Sequence, residues 1–197
     1  MTTIVYLHGF RSSPQSVKAR LLAEAVAALP AARRPRLEVP ALAHEPARAV
    51  AAVADWVRAN VPAGEPLTFV GSSLGGYYAT HLAETVGGAR AVLINPAVRP
   101  YEDLAPYAGP QTNFHTGETF EVLPRHFYEL RALAVARITR PGRYLLLARS
   151  GDEVLDWRTM VEFYGGAWQQ VRGGGSHGYE DIAADLPALL RFAGVAT

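Results

Sequence analysis

Residues 67–78 read LTFVGSSLGGYY. Four largely apolar residues run into a glycine, two adjacent serines and two further glycines. The pattern G-x-S-x-G fits only if it centres on Ser73, because Gly71 and Gly75 then stand two residues to either side. Centred on Ser72 it would need glycine at Val70 and Leu74. The physical basis is a sharp turn from a strand into a helix, in which the central residue takes a strained conformation that lifts its side chain clear of the sheet. The residues two before and two after must be tiny, since the strand and helix backbones approach closely there. With glycine near 7% of residues and serine similar, such a pattern arises by chance in roughly one chain of this size in twenty, so the flanking elements have to carry the argument.

They do. LTFVG (67–71) reads as a strand and LGGYYATHLAETV (74–86) as a helix. The same alternation runs through the chain. Residues 2–7 predict a first strand, 14–29 a helix with Ser12 or Ser13 as its cap and Pro14 in its first turn, and RLEVP (36–40) a second strand. A helix is expected from His44 to Asn60, ended by Pro62 and Gly64. ARAVLIN (89–95), RYLLLAR (143–149) and AWQQVR (167–172) read as strands four to six, with a helix after Asp156 and a last one over 179–193. Continuous apolar runs such as AVLI and YLLLA suit strands buried on both faces of a parallel sheet. Strand and helix alternating in this way predict an α/β fold, a mostly parallel six-stranded sheet flanked by helices.

Residues 96–142 break the rhythm. The interval shows no evident strand, is rich in Pro, Gly and aromatics over 101–120, and looks helical over 122–138. Its length marks an insertion, expected to form a small lid or an irregular crossover, within one domain spanning 1–197.

Bulk properties exclude several classes of function. The 197 residues are 49% apolar and 19% charged, with a formal net charge of +1, so no strong field points to nucleic acid. The trio Arg33, Arg34 and Arg36 reads as a solvated loop. The absence of cysteine removes disulfides, thiolate metal sites and cysteine nucleophiles. The first ten residues carry no basic segment followed by a long apolar one, and no run reaches the roughly 20 apolar residues of a membrane span, so a cytoplasmic protein is expected. Lys18 is the sole lysine among 19 basic residues, which reads as a compositional bias toward arginine.

A serine hydroxyl needs a histidine to take its proton and an acid to orient that histidine. Of six histidines, His177 lies in GGGSHGYED, directly after the sixth strand, where chemistry gathers in open α/β sheets. His81 falls within the helix after the elbow, and His44, His115 and His126 precede the final strands. His8 ends the first strand and reads as a brace for its loop. Asp152 follows strand five and falls between serine and histidine in chain order. Asp156 is its rival but is better placed to cap the next helix, and Glu153 is less well positioned. An oxyanion needs fixed donors: the Leu74 N–H at the helix start, and the Phe10 N–H after Gly9, with the Arg11 N–H as the alternative. Arg11, Asn95 and Tyr77 are expected near the substrate, although Tyr77 and Tyr78 would also suit helix packing.

Gly173, Gly175 and Gly178 spell G-x-G-x-x-G, but too little chain follows for a dinucleotide site. No G-K-[ST] and no H-E-x-x-H occurs, so neither a nucleotide, a metal nor another cofactor is expected.

The motifs YLHGFRSSP, GSSLGGYYAT, INPAVRP, SGDEVLDW and GGSHG together resemble the YqiA-like esterase family of small bacterial α/β-hydrolases over nearly the whole chain. The resemblance implies an α/β-hydrolase fold with a modest lid, and esterase or acyl-CoA thioesterase activity on a small-molecule acyl substrate. It carries the nucleophile onto Ser73, the acid onto Asp152 and the base onto His177. Two other readings stand beside it: a non-catalytic scaffold of the same fold that binds a small ligand, and an acyltransferase or peptidase using the same three residues.

Overall fold

A computed structural model describes residues 1–196. The strands are β1 (Thr3–Leu7), β2 (Arg36–Glu38), β3 (Leu67–Ser72), β4 (Arg90–Ile94), β5 (Gly109–Thr112), β6 (Thr119–Val122), β7 (Tyr144–Arg149) and β8 (Trp168–Arg172). Six of them form one sheet in the order β2-β1-β3-β4-β7-β8, with every neighbouring pair parallel. The helices are α1 (Val17–Ala27), α2 (Pro46–Asn60), α3 (Leu74–Thr85), α4 (Pro100–Asp103), α5 (Pro124–Ala132), α6 (Trp157–Phe163) and α7 (Leu186–Phe192).

The alternation of side chains along the strands divides the core. Val5, Leu7, Phe69, Leu93 and Leu146 point to the face covered by α2, α3 and α6. Ile4, Tyr6, Val70, Val92 and Leu147 point to the face covered by α1 and α7. The four central strands β1, β3, β4 and β7 are thus buried on both sides, which is why their sequences are largely apolar, while the edge strands β2 and β8 are more exposed and more polar. At about 25 cal/mol per Å² of apolar surface removed from water, these central strands supply most of the driving force for folding.

The expected strands and helices recur with ends shifted by a few residues, and three segments differ in kind. The helix expected from 14 begins at Val17, because Ser13 and Ser16 close a turn first: the Ser13 carbonyl accepts the Ser16 N–H at 3.1 Å. The helix expected over 179–193 begins only at Leu186. Pro187 in its first turn forbids an earlier start, since it would remove a hydrogen bond from the helix interior. Tyr179, at φ +50°, takes a left-handed conformation that no helix contains.

The insertion holds the third difference. β5 and β6 pair antiparallel as a hairpin where no strand was expected, and the helical stretch is shorter, α5 ending at Ala132. Four-residue strands with mixed polarity leave little periodic signal. The turn does carry one: the Asn113 carboxamide oxygen accepts the His115 and Thr116 N–H groups at 2.8 and 3.1 Å, and Gly117 adopts φ +72°. The hairpin is fastened to the loop after β1. Asn113 donates to the Ser12 carbonyl at 2.8 Å, and the Phe114 N–H to the Arg11 carbonyl at 2.9 Å. The far end of the insertion is tied to α3 by Glu84, which accepts from the Thr139 N–H and hydroxyl and from Tyr144.

Candidate active site

The loops after β1, β3, β7 and β8 meet at the carboxyl edge of the sheet, on neighbouring strands or one strand apart. The turn after β3 is the tightest. Ser73 sits at φ +54° and ψ −122°, a strained conformation for any residue but glycine, immediately before α3. The strain is sustained by close backbone packing. A Cβ on Gly75 would lie 2.0 Å from the Leu7 carbonyl oxygen, and one on Gly71 would lie 2.1 Å from that of Gly75. Only hydrogen fits at either position. Gly76 is closed in by Pro96, whose Cβ would stand 2.6 Å from an added methyl.

His177 reaches this turn from the loop after β8. Its Nε2 is 3.0 Å from Ser73 Oγ, and its Nδ1 is 2.8 Å from Asp152 Oδ2. A carboxylate only accepts, so Nδ1 carries the proton and the Nε2 lone pair faces the serine hydroxyl. The Asp152 side chain is fully buried, and its other oxygen accepts the Val154 and Leu155 N–H groups at 2.9 and 2.8 Å. The aspartate is therefore held in one orientation, which transmits to the imidazole. Asp156 lies apart from this chain of contacts. It caps α6, accepting the Arg158 N–H at 2.9 Å.

The loop after β1 passes directly over the serine. A Cβ on Gly9 would come within 3.2 Å of Ser73 Cβ, so the glycine is what lets the following peptide approach. Among the described residues neither the Phe10 N–H nor the Leu74 N–H meets a protein acceptor. His8, at the start of this loop, is 6% exposed. It donates from Nδ1 to the Gly9 carbonyl at 3.1 Å and accepts the Leu42 N–H at Nε2, 3.2 Å away. Burial holds its imidazole below the usual histidine range, with the neighbouring His115 and His44 adding to the effect and the Gly9 hydrogen bond opposing it. It braces the loop as a neutral ring.

Three residues expected near the substrate are placed differently from one another. Arg11 does line a small cavity with Gly9, Phe10 and Leu74, but its guanidinium lies over the Phe114 ring at 3.9 Å and donates to Gln111 and the Thr112 carbonyl, fastening the hairpin. Tyr77 is buried in α3, and its hydroxyl donates to the Leu130 carbonyl at 2.6 Å, so it packs α5 and does not face the cavity. Asn95 is fully buried with both ends of its carboxamide engaged. Its nitrogen donates to the Ser176 and His177 carbonyls at 3.1 and 3.3 Å, and its oxygen accepts the Arg149 N–H at 2.9 Å. It is a brace for the His177 loop. Two more braces escaped the sequence reading: Glu153 accepts the His177 N–H at 2.9 Å, and Lys18 donates to the Gly178 carbonyl at 2.5 Å. Neither contact had a local signal, because each spans more than twenty residues.

Solved structures share this architecture. A protein of Agrobacterium vitis S4 described as a hydrolase superposes with a TM-score of 0.76 at 19% identity, over 97% of this chain and 87% of its own. The mouse alpha/beta hydrolase domain-containing protein 10 gives 0.69 at 18% identity, over 96% and 86%. The esterase domain of a Rhodothermus marinus protein gives 0.69 at 16% identity, over 98% and 86%. The fold is the α/β-hydrolase fold. The family that the motifs resemble and the family that the chain matches agree: over residues 3–194, nearly its whole length, the chain belongs to the Uncharacterised protein family (UPF0227).

Proposed function

We propose that the protein is a serine hydrolase that cleaves carboxylic esters or acyl thioesters through an acyl-enzyme. The observation that carries this reading is the continuous line of contacts from Ser73 Oγ through His177 to the buried Asp152, at 3.0 and 2.8 Å. Likeness in fold to an esterase domain is consistent with it.

In this mechanism His177 Nε2 takes the Ser73 proton as Oγ bonds to the acyl carbon. The carbonyl π electrons move to oxygen, and the Phe10 and Leu74 N–H groups receive the developing charge. The tetrahedral species collapses, the bond to the alcohol or thiol breaks, and His177 returns its proton to the leaving group. Water then attacks the acyl-enzyme, with His177 taking a proton from it, and the acid leaves as Ser73 is restored. Asp152 keeps the imidazole in the tautomer that can accept and steadies its positive charge.

The test is labelling with a serine-directed fluorophosphonate, together with turnover of p-nitrophenyl esters and acyl-CoAs of graded chain length. Wild type is expected to take the label and hydrolyse at least one series. Ser73→Ala should lose the label and about 10⁴-fold or more in kcat. Asp152→Asn should lower kcat by about 10³–10⁴-fold, while Asp156→Asn, which keeps a capping side chain, leaves it within about twofold. An unlabelled wild type that turns over no ester or thioester would leave the scaffold reading in place.

A further inference from the structure

The chain's sole lysine stands in the second position of α1, half-buried, on the wall of a cavity of about 360 Å³ that also contains Ser73 and His177. Two hydroxyls share that wall. Tyr6 is 1% exposed; burial pushes its hydroxyl up to about 12, with the neighbouring Ser16 and Ser72 hydroxyls acting in the opposite sense, so it stays protonated. Ser16, the residue that precedes α1, is 7% exposed; its hydroxyl stands beside that of Tyr6, and no atom among the described residues meets its Oγ with full hydrogen-bond geometry. A buried polar atom without a well-formed hydrogen bond is costly and uncommon in native proteins, and this one borders the cavity that opens on the serine.

The helix adds to the same field. α1 runs for eleven residues with no acidic side chain in its first turn, so nothing within the helix offsets its positive end. Its first N–H groups lack intrahelical acceptors. An ammonium carries three donors, and Lys18 uses one on the Gly178 carbonyl. Burial holds the ammonium below the ordinary lysine range, with Glu180 and Asp152 acting in the opposite sense, so a further anion would be favoured there. Glu180 is the carboxylate at the rim. It is exposed to solvent and accepts the Ser176 hydroxyl at 2.6 Å, so water screens it more than it screens the buried wall.

We infer that Lys18, Ser16, Tyr6 and the N-terminus of α1 form a subsite for an oxyanionic group, a carboxylate or a phosphate, carried by the substrate that Ser73 attacks. The inference rests on the serine-hydrolase reading and specifies what that site takes. The cavity volume admits a compact charged group beside the reacting carbonyl.

Matched substrate pairs test it. One pair is 4-acetoxybenzoate and its neutral methyl ester, with 4-acetoxyphenyl phosphate as the phosphate arm. The other is mono-4-nitrophenyl adipate and neutral 4-nitrophenyl hexanoate, which puts the charge on the acyl side. In wild type at least one anionic member should exceed its neutral match by about tenfold in kcat/KM, chiefly through KM. Whether the carboxylates or the phosphate gain decides the source of the charge. Lys18→Met should bring that ratio close to one, and Ser16→Ala should lower it part of the way. Equal rates within every pair, with neutral esters turned over, would overturn the subsite. So would a Lys18→Met variant that loses both members of a pair equally, which would leave the lysine only its tether to Gly178. If Lys18→Met does not fold, the wild-type and Ser16→Ala ratios decide. If wild type takes no fluorophosphonate and hydrolyses no ester, the hydrolase reading has failed. Calorimetric titration of wild type and Ser16→Ala with 4-hydroxybenzoate and 4-hydroxyphenyl phosphate then decides the subsite: binding weakened by the substitution supports it, and no binding overturns it.

Discussion

The turn over 71–76 and the turn over 173–178 are both rich in glycine and stand at the same edge of the sheet, yet they are held in place by different means. In the first, glycine is required because backbones touch: an added Cβ would strike the Leu7 or Gly75 carbonyl oxygen at 2.0 or 2.1 Å. In the second, Gly173 and Gly174 face open space, Gly174 serving through its φ of +65°, while a Cβ on Gly175 or Gly178 would meet the Arg149 or Glu180 side chain, at 2.1 and 2.3 Å, and not a backbone. What holds that second loop comes from elsewhere in the chain. Asn95 grips two of its carbonyls, Glu153 its His177 N–H, and Lys18 its Gly178 carbonyl. The serine therefore rides on a turn made rigid by its own packing, and the histidine rides on one made rigid by distant side chains. Removing a side chain far from the histidine in sequence can move it; the serine is vulnerable mainly to atoms added where its turn packs against the Leu7 carbonyl, Pro96 and Gly9.

The largest difference should appear when a methyl is added to each turn. Gly75→Ala is expected to cost about 3 kcal/mol or more, because two backbone segments would have to separate. Gly174→Ala should cost about 1–2 kcal/mol, the penalty of a left-handed conformation in open space. Urea unfolding of the two variants measures both, and equal losses would erase the distinction.

A smaller effect is expected from removing a tether. Asn95→Ala leaves the Ser176 and His177 carbonyls and the Arg149 N–H without that partner, a stability loss of about 1–3 kcal/mol. If the tether also aims the imidazole, kcat for a good ester falls by about tenfold or more while KM moves little. Lost stability with kcat intact would mean that the loop aims the histidine unaided.

The smallest effect concerns the elbow's neighbour His8 and depends on pH. Its folded imidazole is held below the usual histidine range, so its contribution to stability is fully present above the unfolded value of about 6.5 and declines as pH falls from there toward the lower folded value. Denaturant midpoints at pH 7.5 and pH 5 should differ less for His8→Gln than for wild type. An unchanged difference would place the acid sensitivity on other groups.

The elbow was legible because its geometry is a local steric demand. A strand, two glycines at fixed spacing and a helix leave Ser73 as the central residue, and the positive φ follows from the same six residues. Asp152 and His177 could be placed from chain order and from their positions just after strands, since a parallel sheet gathers the ends of its strands along one edge. Asp156 as a cap was equally readable, because capping is a contact between neighbours. Asn95 and Tyr77 read toward the substrate for want of any local sign that their polar atoms meet Ser176, His177 and Leu130, from 53 to 82 residues away. The hairpin in the insertion escaped for a related reason: four-residue strands owe their stability to docking on Arg11 and Ser12 more than to their own pattern.

Sequence by itself thus determined the sheet, the elbow and the identity of the three residues that converge there, each through periodicity, spacing or order along the chain. Tertiary structure alone decided which side chains brace the histidine loop, where the hairpin docks, and that the single lysine shares a cavity with the serine. Those are contacts between segments far apart in the chain, and the free energy that selects them arises only once the sheet has brought the segments together.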